Sequence, residues 1–565
     1  MIATAPSTPA TSAPGPTVAG GPARWNRADG LVVAGLFVLA LAVRSLFALA
    51  VAFPPLDDPA YYLQVARNLC RGEGFHIAVI WSHLYPFTSV DHPSGELWMP
   101  LASVVMCGSW RLLGESWRAA QLPGVLAGAA LPPLTYMLGV YTLGCRLRAL
   151  AATLFLAVSG VLAYQSAAGD SMALFALLIT GALLLLIWRP TSPACRPAGL
   201  APASAAAGSF LPALLPTALA GACAGLAYLT RMHALVLVGC WTAGRLRRCR
   251  RDRTVLVEAA VFLGMFALIV LPWGVRNLLV FGSWSPPLAT IAPFLVYVDG
   301  YLALPPAPGP AYVLQHLEEA LHVRLEAAWI GLHSVLDTLL FPSALPGWLG
   351  AFALARRSPA LRLGVGYAAA LYAAAVLLAP APSLTGSYYH SAASSVPVLA
   401  LGYAHAVLWI AKHMGRLLRW PRPPFWPLWA GVLALALVQS GLAWTAVEAH
   451  HRREAEQFAT IRAWLAAQPD APGGTIMTTE PSTLHYLTGR PAVVLPAREP
   501  PERVVETMRR YGARYLVLTH PAGRYPDAAR AAEQLALVWR TGGTEVFRLR
   551  ESTDNAVAAP PRSAT

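Results

Sequence analysis

The 565-residue chain is 56% apolar and only 12% charged, and it carries a formal net charge of +14. Long apolar runs recurring from Leu31 to Val447 exclude a set of soluble domains and imply a polytopic helical membrane protein. The positive charge does not indicate nucleic acid, because the arginines cluster in short loops between apolar segments, the pattern of cytoplasmic loops.

In chain order, residues 1–28 are rich in Pro, Ala, Ser, Thr and Gly and read as a disordered cytoplasmic N-terminus ending in Arg24 and Arg27. No small-residue cleavage site follows the first apolar run, so 31–53 is expected to be a retained span rather than a signal peptide. Arg44 lies inside this span and is expected to snorkel or to face a polar interior. The chain then reads FPPLDDPAYYLQVARNL, with Asp57 and Asp58 at the mouth of the span and an amphipathic helix after them.

Segment 94–113 is almost long enough to span. If it did, Arg146, Arg148 and the basic cluster at 245–253 would fall outside, so it is read with 58–71 as one of two external juxtamembrane helices. Further spans are expected at 117–142, 149–166, 171–188, 208–229, 232–244, 255–280, 329–354, 361–379, 396–411 and 425–447, with an external loop over 281–326. This gives an α-helical polytopic membrane protein of about eleven spans. Charged residues return after 450. The runs 475–479, 492–496, 514–519 and 544–549 read as strands and 501–512 as a helix, so a small external C-terminal α/β domain is expected over 450–550 and a disordered tail over 551–565. The seven cysteines contain no CxxC pair and indicate neither a disulfide framework nor a zinc site.

On this topology Asp57, Asp58, His83, Asp91, His92, Asp170, Arg231, Arg276 and His390 share one external face. Asp58 before Pro59 suits a helix N-cap, which leaves Asp57 to point into a cavity as a general base or ligand. Asp170 is either an N-cap or a second acid that orients the acceptor, and two acids could chelate a divalent cation, although no spacing demands one. Arg231 and Arg276 suit an anionic leaving group or, alternatively, lipid headgroups. HLEEALH (316–322) is not HExxH, so a zinc protease is not indicated and His316, Glu319 and His322 read as a solvated face.

These motifs, taken in order, resemble the GT-C superfamily of polyprenyl-phosphate-sugar-dependent glycosyltransferases. The branch that holds the protein O-mannosyltransferases and the lipid A aminoarabinose transferases is the one resembled. The residues that carry the resemblance are DDPAYY (57–62), His92-Pro93, Asp170, GLAYLTR (225–231), PWGVRN (272–277) followed by Phe281-Gly282, and GSYYHSAASSVP (386–397). The resemblance implies Asp57 and Asp170 as catalytic acids, and Asp58, Tyr61, His92, Arg231, Arg276 and His390 as substrate-binding residues. It also implies a polyprenyl-phosphate-linked sugar as donor, an acceptor hydroxyl of unassigned class, and an extracytoplasmic site in the cell membrane. Where the aminoarabinose branch carries a lysine, this chain reads VDHPSGEL, which argues against aminoarabinose transfer. A transporter or lipid-handling protein is the alternative, but it would favour inverted repeats and charges near the midplane, whereas this sequence places its acids at one surface and shows no repeat.

Overall fold

The computed structural model describes residues 25–55, 57–188, 211–249, 253–297, 299–381, 383, 386–468, 474–519 and 533–550. The N-terminal tract before Trp25, the Arg189–Arg196 loop, part of the 245–253 cluster and the tail from 551 lie outside the described residues. Most of the chain is helical. The first half forms α1 (Arg27–Ala50), α2 (Asp57–Arg71), α3 (Leu101–Leu113), α4 (Trp117–Leu143), α5 (Arg146–Val158), α6 (Gly160–Ala167), α7 (Met172–Trp188), α8 (Leu211–Tyr228), α9 (Ala234–Cys249) and α10 (Arg253–Phe281). By length and composition five described helices can cross a membrane, and the bent pair α5–α6 makes a sixth. Leu101–Leu113, Met172–Ile187 and Leu214–Tyr228 are shorter apolar helices.

The expected span 149–166 is broken at Ser159, where α5 and α6 meet at 55°. A helix broken among apolar neighbours leaves carbonyls that need other donors. Arg44 supplies them. It is fully buried and donates to the carbonyls of Leu156 (3.0 Å) and Ala157 (2.9 Å). Ser440 completes the repair: its hydroxyl lies 2.6 Å from the Val158 carbonyl and accepts the Gly160 N–H at 2.7 Å. Arg44 is therefore a structural residue. Arg44→Met should destabilise the protein by about 2–4 kcal/mol, read as a lower melting temperature in detergent.

The expected single span 329–354 is not one helix. After α11 (Pro287–Ile291) and α12 (Pro310–Gln315), α13 (Leu317–Ile330) runs through a π-helical turn at 331–336 into α14 (Asp337–Leu339). The chain then breaks before α15 (Leu345–Arg357). Asp337 holds the break by accepting the Ala344 N–H at 2.6 Å and the Ser343 hydroxyl at 3.3 Å. Next come α16 (Pro359–Leu378), α17 (Ser387–Ala392), α18 (Val396–Leu417) and α19 (Phe425–Ala466). Helices α15 and α18 touch backbone to backbone, and a Cβ on Gly350 would sit 1.9 Å from the Gly402 carbonyl oxygen. Glycine is required there.

The expected boundary near 450 falls inside α19, which continues unbroken toward the C-terminal sheet. That sheet has the order β2-β5-β4-β6-β8-β7. Its tail strands are β4 (Ile476–Thr478), β5 (Ala492–Val494), β6 (Tyr515–Leu518), β7 (Leu535–Thr541) and β8 (Thr544–Leu549), with α20 (Pro481–Thr488) and α21 (Pro501–Arg510) packed on it. One edge strand, β2 (Val79–Ile80), comes from the loop between α2 and α3 and pairs in parallel with β5. In the same loop β1 (His76–Ile77) pairs antiparallel with β3 (His92–Pro93). Ile80, Phe87 and Val90 share one apolar core with Met477, Val493 and Leu516.

A disulfide joins Cys70 at the end of α2 to Cys107 in α3. This corrects the expectation from cysteine spacing, because the two residues lie 37 apart in sequence and only the packing of α2 on α3 brings their Cα atoms to 5.5 Å. Replacing both with serine should cost about 2–4 kcal/mol, measured by thermal unfolding against the oxidised protein.

Candidate functional site

Four polar side chains from distant parts of the chain meet at the start of α2. Asp58 comes from its first turn, Asp170 from the turn between α6 and α7, Arg231 from the turn between α8 and α9, and His390 from α17. The turn before Asp170 needs Gly169, whose φ is +70° and where a Cβ would strike the Trp117 ring at 2.7 Å. Asp170 is the hub. Its Oδ1 accepts from the Ser171 backbone N–H and hydroxyl and from Arg231 (3.3 Å), and its Oδ2 lies 3.0 Å from His390 Nδ1. The other imidazole nitrogen, Nε2, is 3.6 Å from Asp58. His390 thus bridges the two carboxylates.

The two acids differ in basicity. Burial pushes the Asp58 carboxyl above the usual carboxylate range and the Asp170 charge adds to this, against the opposing pull of His390 and Arg231. Burial also pushes Asp170 up, but His390, Arg231 and Ser171 outweigh it and hold Asp170 well below that range. Asp58 is therefore the more basic of the two carboxylates and Asp170 the less basic, as expected of a pair placed in unlike environments.

The remaining expected residues separate. Asp57 opens α2, but its side chain lies outside the described residues. Asp58, expected to cap the helix, turns toward His390 instead. Tyr61 bonds outside the cluster. It is buried, donates to Glu96 at 2.7 Å, accepts the Gly95 N–H at 3.1 Å and packs on Trp98 with ring centroids 4.1 Å apart. Both nitrogens of buried His92 lie against carbonyls, those of Pro93 (3.0 Å) and Val79 (2.9 Å), and its ring stacks on Phe87, so it ties the loop together. Arg276 bonds the Phe75 carbonyl and Asn277, each at 3.2 Å, and lies over the Trp273 ring, with no contact to Asp170 or Asp58 among the described interactions. His83 also belongs to the loop: it is buried, its Nε2 is 2.9 Å from the Val494 carbonyl, and burial brings its pKa down to about 4. Asp91 is a surface residue 3.5 Å from His76.

Sequence reasoning missed Tyr62, Ser171 and His233. The Tyr62 hydroxyl is 3.4 Å from Ser171, and its carbonyl accepts the Ser103 hydroxyl, which links α2 to α3 beside the cluster. His233 lies 3.2 Å from Ser387 on the other flank. Helical spacing was the one available signal, but Tyr61 and Tyr62, three and four residues after Asp58, both satisfy it, so spacing alone does not separate them.

Asp58, Asp170 and His390 present ligand atoms within 4.8 Å of one another, a spacing that could hold a cation. Asp170 already accepts from Ser171 and Arg231 and lies against His390, so a cation held there would share that carboxylate with the guanidinium and the imidazole.

No protein-family profile and no curated relative matches the sequence. Solved structures do match. ArnT from Cupriavidus metallidurans, bound to undecaprenyl phosphate, superposes with a TM-score of 0.53 at 12% identity, over 91% of this chain and 98% of that one. The oligosaccharyltransferase AglB from Archaeoglobus fulgidus, in complex with an inhibitory peptide and a dolichol-phosphate, gives a TM-score of 0.56 at 12% identity, over 95% of this chain and 75% of that one. At such identities the likeness is one of fold.

Proposed function

We propose that this chain, which has the GT-C fold, is a membrane glycosyltransferase that moves a sugar from a polyprenyl phosphate to an acceptor hydroxyl. The observation that carries the reading is the Asp58–His390–Asp170–Arg231 cluster, which gathers a proton acceptor, a fixed anion and a cation in one buried site. The carriers bound in the two similar structures, undecaprenyl phosphate and dolichol-phosphate, support the donor class. The acceptor oxygen attacks the anomeric carbon, the bond from that carbon to the phosphate oxygen breaks, and the acceptor proton passes to Asp58. Arg231 offsets the charge that develops on the departing phosphate. Asp170 holds both His390 and Arg231 in place. No step is routed through a metal. A deletion strain is the test of function: lipid and glycan mass spectrometry should find one acceptor lacking its sugar, and unchanged envelope glycans would refute the transferase reading.

The site is assigned to the extracytoplasmic face. Two observations support this: the arginine-rich ends of the helices lie opposite the cluster in sequence order, and a Cys70–Cys107 disulfide joins the two helices beside the site, which suits an oxidising compartment. With the native free cysteines replaced by serine, Arg247→Cys should resist a membrane-impermeant maleimide in intact cells and react after permeabilisation. Labelling in intact cells would reverse the assignment.

A further inference from the structure

We propose that the end of α15 and the start of α16 form a binding site for an anionic phospholipid. Phe352, Ala355, Arg356 and Arg362 line an open cavity of about 400 Å³ there. Its cations come from both sides of the turn, Arg356 from the last turn of α15 and Arg362 from near the start of α16. Leu345, Leu349 and Phe352 on α15 are 61%, 61% and 48% exposed. With Arg356 they fall within a sector of about 60° and extend over about 16 Å of the helix. One helix face therefore ends in a guanidinium and carries an apolar strip beneath it, which suits a charged headgroup with an acyl chain below.

The charge around this cavity calls for an anion. Between Asp337 and Glu448 the sequence holds seven Lys or Arg residues and no Asp or Glu. Among the described residues no carboxylate pairs with Arg356, Arg357 or Arg362, and Arg362 bonds only carbonyls, those of Ala355 at 2.9 Å and Arg356 at 3.4 Å. Folding concentrates the charge further: His405 of α18 lies within electrostatic reach of Arg148, Arg357 and Lys412, so the start of α5, the α15–α16 turn and the end of α18 meet at one end of the bundle. Helix α16 also opens here with no side-chain cap, and its first N–H groups favour an anion. A phosphodiester matches these donors. Two features favour a lipid over a soluble anion. Helix α16 is able to cross a membrane, so its start lies at a bilayer surface, and the apolar strip of α15 leads away from the cations.

The inference needs only a membrane-embedded chain, so it stands or falls separately from the transferase reading. The test is native mass spectrometry of the full-length protein, delipidated in detergent and supplied with equimolar phosphatidylglycerol and phosphatidylcholine of the same acyl chains. The wild type should retain several-fold more phosphatidylglycerol, and Arg356→Gln combined with Arg362→Gln should lose most of that excess. Because Arg362 also ties down the end of α15, Arg356→Gln alone carries the comparison if the double variant does not fold, and it too should lower the excess. Arg503→Gln, on α21 of the tail, should leave the excess intact. Equal retention of the two lipids by the wild type, an excess unchanged by Arg356→Gln, or an equal loss in Arg503→Gln would overturn the proposal. So would displacement of the phosphatidylglycerol by inorganic phosphate, which would mark a site for a soluble anion.

Discussion

Asp58→Asn should leave α2 folded and lower the transfer rate by about 10²–10⁴-fold, the usual worth of a positioned general base. The amide keeps the size of the carboxyl and removes its charge and its ability to take a proton. On the reading that Asp58 is the base, Asp57→Asn should cost less than about tenfold. Complementing the deletion strain with each variant, and quantifying the glycan that the deletion loses, checks both. A larger loss from Asp57→Asn would return the role to Asp57, where the family resemblance had put it. The pH dependence follows from the same geometry. The acceptor must be ionised to work, and burial raises its pKa. Activity should therefore fall on acidification at a pH above that of an ordinary exposed carboxylate. An acidic limb in or below the ordinary carboxylate range would refute Asp58 as the base.

Ending the chain at Gln468 should abolish activity and leave residues 72–100 open to protease. The loop between α2 and α3 is not self-supporting. Its strand β2 pairs with β5, and Ile80, Phe87 and Val90 lose their apolar partners when the tail is removed, at about 1.5–3 kcal/mol for each buried side chain. Polar ties are lost with them: His83 to the Val494 carbonyl, the Tyr511 hydroxyl to the Phe87 carbonyl at 3.3 Å, and the ion pair between Arg498 and Asp299 at 3.0 Å. Helix α2 is reached directly as well, since Arg67 lies over the Tyr486 ring of α20. The loss should therefore appear both as protease cleavage within 72–100 and as inactivity of the membrane fraction. Full activity in the truncated protein would make the tail dispensable to the site.

The helices were legible because a long apolar run is a local property of the chain. Segments 58–71, 117–142 and 396–411 each reappear within a few residues as α2, α4 and the first part of α18. Strands β4, β5, β6 and β8 were legible from short apolar runs between turn residues, whereas β7, an edge strand with mostly half-buried or exposed positions, left little pattern to read. The candidate site was legible in part. Asp58, Asp170, Arg231 and His390 were named from sequence and do meet, while Tyr61, His92 and Arg276 were named beside them and instead serve the loop or the end of α10.

From the sequence alone came the membrane class, the positions of most helices, the α/β character of the tail and the residue types needed for acid, base and phosphate chemistry. Each depends on composition or on neighbours within one or two turns. Tertiary structure decided which side chains meet. A step of one residue rotates a helical side chain by about 100°, so it is packing that separates Tyr62 from Tyr61 and turns Asp58 toward His390. It also decided the pairing of Cys70 with Cys107, the repair of the broken α5–α6 span by Arg44, and the borrowing of Val79–Ile80 by a sheet that begins nearly four hundred residues later. Each of these joins segments far apart in the chain, and no local pattern records which distant partner a group will find.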